Sequence, residues 1–128
     1  MKNHFTPILA LLLSCSFSIF AGDGAHRPMT FMDVVGMRAA GSPAVSPDGK
    51  WMLYTLTSRD WKAGKSFTDV YLVSLARGVE STRQMTFTKD KNETSPQWSR
   101  DGRFFAFLSD RDGPEGKAVN QIYLMHPD

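Results

Sequence analysis

The chain has 128 residues, 41% hydrophobic and 22% charged, a mix that fits one small globular domain. It excludes a collagen-like chain, a disordered tail and a multi-span membrane protein. Fifteen Lys and Arg stand against 13 Asp and Glu, a net charge of +2, which makes no electrostatic case for nucleic acid or an anionic membrane surface. The single cysteine permits no internal disulfide and no cysteine-based metal site.

The chain opens Met1-Lys2-Asn3-His4, runs apolar from Phe5 to Phe20, and leaves through Ala21-Gly22-Asp23-Gly24. A basic start, a greasy middle and a small-residue exit is the plan of a secretory leader. Thr6, Pro7, Ser14, Ser16 and Ser18 interrupt the apolar run. No second such segment follows, so no integral membrane segment is expected after cleavage. Leu12-Leu13-Ser14-Cys15 offers a competing reading, a lipobox with acylation at Cys15, but apolar residues continue past Cys15. Plain cleavage after Ala21 is the preferred reading. It predicts export to the periplasm or cell exterior, and a mature chain free of cysteine.

One short helix is predicted next. Thr30 can cap a run from Phe31 to about Arg38, with Asp33 at the positive end. Phe31, Val34, Val35 and Arg38 share one face, flanked by Met32 and Met37, and this stripe reads as a packing face. Gly41 is placed to end the helix, with Ser42-Pro43 blocking its continuation.

From Pro43 onward the periodicity is that of strands. They are predicted at Ala44–Ser46, Trp51–Thr57, Asp69–Leu75 and Arg83–Thr88, then at Gln97–Ser99, Arg103–Leu108 and Gln121–Met125. These two groups are related. Ser42-Pro43-Ala44-Val45-Ser46-Pro47-Asp48-Gly49-Lys50-Trp51 recurs 53 residues later as Ser95-Pro96-Gln97-Trp98-Ser99-Arg100-Asp101-Gly102-Arg103-Phe104. Tyr54 becomes Phe107, and Val70-Tyr71-Leu72-Val73 becomes Ile122-Tyr123-Leu124-Met125. In each copy a Ser-x-Asp-Gly turn joins two strands, with Asp bonding nearby amides and Gly accepting positive φ.

A four-stranded meander of this length is the plan of a β-propeller blade. The expected fold is therefore all-β, an incomplete propeller of about two four-stranded blades with the second truncated. The expected organisation is a signal peptide over 1–21, an extension with the short helix over 22–41, blade 1 over 42–88 and incomplete blade 2 over 89–128. Propellers need ~4–8 blades to close. The chain is accordingly expected to be the start of a longer protein, marginally stable or aggregation-prone alone.

Ser46-Pro47-Asp48-Gly49-Lys50 before an aromatic strand, with Asp69-Val70-Tyr71-Leu72 downstream, resembles the blades of Tol-type, WD-like propellers. It also resembles the N-terminal propeller of prolyl-oligopeptidase-family serine peptidases. Met29-Thr30-Phe31-Met32-Asp33-Val34-Val35 leading into Gly41-Ser42-Pro43 is similar to the start of acylaminoacyl-peptidase and dipeptidyl-aminopeptidase relatives. Phe107-Leu108-Ser109-Asp110-Arg111-Asp112-Gly113 is similar to their second blade. The resemblance implies an exported serine peptidase whose propeller gates peptides toward a C-terminal α/β-hydrolase domain, which this chain does not contain. The alternative is a non-enzymatic periplasmic Tol-like propeller that binds protein partners. The Tol-type order, with an α/β domain first, has no room between Ala21 and Pro43.

No catalytic, cofactor or metal residue is assigned. The chain holds no Gly-x-Ser-x-Gly elbow, and His4, His26 and His126 are not placed to activate a serine. Asp110-Arg111-Asp112-Gly113 reads as a turn, since most ligands of a calcium loop are missing. Asp48 and Asp101 read as turn residues of separate blades. Asn92-Glu93-Thr94 fits a glycosylation sequon, and Lys89-Asp90-Lys91-Asn92-Glu93 reads as a solvated loop. Trp51, Trp61, Trp98, Phe104, Phe105 and Phe107 are assigned to packing rather than to base stacking.

Overall fold

The computed structural model describes residues 27–114, 117 and 119–128. The leader expected over 1–21, with Cys15 and His4, and also His26, lie outside the described residues. The elements in chain order are α1 (Phe31–Gly36), β1 (Ala39–Val45), β2 (Trp51–Asp60), β3 (Lys65–Ser74), β4 (Gly78–Gln84), β5 (Glu93–Trp98), β6 (Phe105–Ser109) and β7 (Gln121–Met125). Strands β1 to β4 form one antiparallel meander and β5 to β7 a second, each in sequential order.

The repeat survives in register. Val45 pairs with Met52 and Ala44 with Leu53; Trp98 pairs with Phe105 and Gln97 with Ala106. The next hairpins match as well, Leu53 facing Leu72 as Ala106 faces Leu124. Each first strand carries a bulge at its Ser-Pro pair, where Ser42 (φ 46°) and Ser95 (φ 53°) take the left-handed conformation. Both prolines sit on edge strands, where a missing N–H breaks no ladder.

The turns are duplicates atom for atom. Ser46 Oγ donates to Asp48 Oδ1 (2.6 Å) and accepts from Trp51 N (2.9 Å). Ser99 Oγ donates to Asp101 Oδ1 (2.7 Å) and accepts from Phe104 N (3.2 Å). Lys50 N and Arg103 N each donate to their own aspartate at 3.1 Å. Gly49 and Gly102 have φ of 70° and 69°, which other residues adopt only with strain.

The structure corrects several expected boundaries. The helix stops at Gly36, a poor helix former, and Met37 is already extended. Gly41 lies within β1 instead of ending the helix. The Thr30 cap forms as a reciprocal box, Asp33 N donating to Thr30 Oγ1 (3.3 Å) and Thr30 N to Asp33 Oδ2 (2.7 Å). The stripe of α1 is not a packing face, because no residue of the helix is buried and Phe31 is 71% exposed. Six residues are too short to carry a full stripe onto a neighbour, and among the described residues Val34 and Val35 line a shallow pocket with Arg59, Asp60 and Trp61 at the tip of the β2–β3 hairpin. Strand β4 begins at Gly78, five residues ahead of the expected Arg83. Gly78 (φ 69°) closes the hairpin, and the polar run Glu80-Ser81-Thr82 hides the strand's start. Strands β1 and β5 likewise begin before their predicted starts, because the bulges break the alternation.

The core lies between the sheets. Leu53, Val70 and Leu72 of the first sheet meet Phe105 and Phe107 of the second, all at most 2% exposed. Trp51 and Trp98 pack against this cluster, and Trp98 Nε1 donates to Ala44 O at 3.0 Å across the sheets. Trp61 stays half exposed at a hairpin tip, outside the core.

Because the two turns are equivalent, Gly49→Ala and Gly102→Ala should each cost about 1 kcal/mol from the left-handed backbone alone. Urea unfolding of the two variants is expected to give midpoint losses of similar size. The Cβ at 102 would meet Pro47 only at ordinary contact distance, so no steric excess is expected there.

Candidate functional site

The seam between the sheets carries the densest polar chemistry. Its centre is Glu93, the first residue of β5, which is 0% exposed. The register opposite Ser109 puts both side chains on the packed face. Glu93 Oε1 accepts from Ser109 Oγ (3.0 Å) and from Arg111 Nη2 (3.3 Å). Its Oε2 is buried and has no hydrogen-bond partner among the described residues. Arg111 lies 4.6 Å from the ring centre of Tyr123 and 5.2 Å from that of Phe107, so its cation is shielded by aromatic faces. Its Nε also donates to Ser109 Oγ at 3.2 Å.

Asp69 of β3 lies on the opposite face of the first sheet, the face of Tyr71, and accepts from Thr86 Oγ1 at 3.4 Å. Burial pushes its carboxyl above the ordinary aspartate range, and the charge of Glu93 adds to that; Gln84, Thr86 and Arg38 pull the other way. Asn92 docks the loop before β5 onto the first sheet, its Oδ1 accepting from Thr68 N at 3.1 Å.

The sequence reading of Lys89–Glu93 as a solvated loop is therefore wrong at its end. Lys89 and Asp90 are exposed, but Glu93 is fully enclosed and Asn92 is engaged with the backbone. The signal that exposes Glu93 is the repeat itself. Carried back across the Ser-Pro bulge, it aligns Glu93 with Ala40, a strand residue.

The other candidate residues are held locally. Asp110 Oδ1 accepts from Asn92 N (2.9 Å), Asp112 accepts from the Tyr123 hydroxyl, and Gly113 N closes a turn on Asp110 O (3.1 Å). Asp48 and Asp101 line one cleft with Trp51, Trp98 and Pro127, yet each bonds within its own turn. The hydroxyls of Ser46 and Ser99 hold the two carboxyls below the usual range, aided by the amides of Lys50 and Arg103. His126 Nδ1 meets Arg103 O at 2.9 Å, beside the ring of Phe104. Among the described residues no group of three His, Cys, Asp or Glu side chains is placed to hold a metal ion. No described helix is long and apolar enough to cross a membrane. Ser109 is enclosed and bonded to the carboxylate of Glu93, a contact that ties β5 to β6 within the second sheet.

Comparison with known proteins relates the chain to peptidases. Over 113 residues it is 33% identical to dipeptidyl-peptidase 5 of Porphyromonas gingivalis, covering 88% of this chain and 16% of that protein. Over 98 residues it is 30% identical to the uncharacterized peptidase YuxL of Bacillus subtilis, covering 76% of this chain and 14% of that protein. The chain thus spans about a sixth or less of the length of these relatives. TolB from Acinetobacter baumannii aligns with a TM-score of 0.45 at 31% identity, over 67% of this chain and 18% of that one. No family model matches.

Two substitutions test the seam. Arg111→Ala leaves Glu93 buried and unpaired and should cost about 3 kcal/mol. Adding Glu93→Gln to it should recover part of that loss in urea unfolding, because no buried charge then remains. For Asp69 the folded value lies above the unfolded one, so its neutral form suits the fold. That contribution is whole below ~pH 4 and is lost as pH rises through the raised value. Asp69→Asn should therefore raise the melting temperature at pH 7, with the gain fading toward pH 3.

Proposed function

We propose that this chain is an opening portion of a β-propeller in an exported serine peptidase of the prolyl-oligopeptidase kind. The segment scaffolds the ring and restricts which peptides reach the hydrolytic domain, and it supplies no catalytic residue. The observation that carries this reading is the 33% identity to dipeptidyl-peptidase 5 across nearly the whole chain. The in-register duplication supports the propeller part, since stacked antiparallel meanders of one repeat are how blades sit side by side. The hydrolytic partner is a C-terminal α/β-hydrolase domain with a Ser-Asp-His triad, and the substrates of the whole protein are peptides. Residues 1–21 are its export leader, removed without lipidation at Cys15.

The gene read beyond codon 128 should continue into further repeats and then a Gly-x-Ser-x-Gly elbow with later Asp and His. A frame that lacks the elbow overturns the peptidase reading. The purified chain alone should give no turnover of peptide or ester substrates, and turnover by it would contradict the placement of catalysis elsewhere.

A further inference from the structure

No further inference is drawn: the strongest candidate, the side-chain cluster around the enclosed Glu93 at the start of β5, whose Oε2 has no hydrogen-bond partner among the described residues, belongs to the polar network already described, and nothing in the structure shows what group would meet that oxygen.

Discussion

The two aromatic rings of β6, Phe105 and Phe107, press into the aliphatic surface made by Leu53, Val70 and Leu72. Neither sheet can enclose a side chain without the other, since each is a single layer with two faces. Removing one of these side chains from water contributes about 2 kcal/mol. The cluster spans β2, β3 and β6, so loosening it exposes both sheets together. The Trp98 to Ala44 hydrogen bond and the Asn92 contact with Thr68 are cross-sheet bonds that this packing brings within reach.

The polar seam has a different role. Glu93 is enclosed and its partners Ser109 and Arg111, with the rings of Phe107 and Tyr123 that flank Arg111, all belong to the second sheet and its β6–β7 connection. The network therefore ties β5, β6 and β7 to one another, since parting Glu93 from Arg111 leaves a buried charge uncompensated. Apolar faces alone tolerate sliding, because Leu, Val and Phe contacts have no preferred direction, and the alignment of one sheet on the other is fixed by the Trp98–Ala44 and Asn92–Thr68 hydrogen bonds.

Much of this was legible in the residues because turn chemistry is local. Asp48, Gly49, Asp101 and Gly102 act on backbone within a few positions, so their spacing alone gives the hairpins and the repeat. The Thr30 cap is visible for the same reason. The starts of β1 and β5 are not, because Ser42 and Ser95 leave the strand conformation there and the alternation breaks. The start of β4 is hidden by an exposed edge, where Glu80 and Ser81 need no apolar partner. Glu93 escapes notice because its burial is decided by Ser109 and Arg111, sixteen and eighteen positions away. The helix misleads in the opposite sense, since its apolar spacing implies a partner that α1 is too short to engage.

The self-contained turns bear on how such a chain arises. Every bond of the Ser-x-Asp-Gly corner stays inside its own hairpin, so a tandem duplication of the gene segment transmits working corners intact. Only the broad faces must then be matched to a neighbour. Divergence between copies is accordingly free to accumulate on those surfaces, as Tyr54 against Phe107 and Leu53 against Ala106 illustrate, while the corners are inherited with little change.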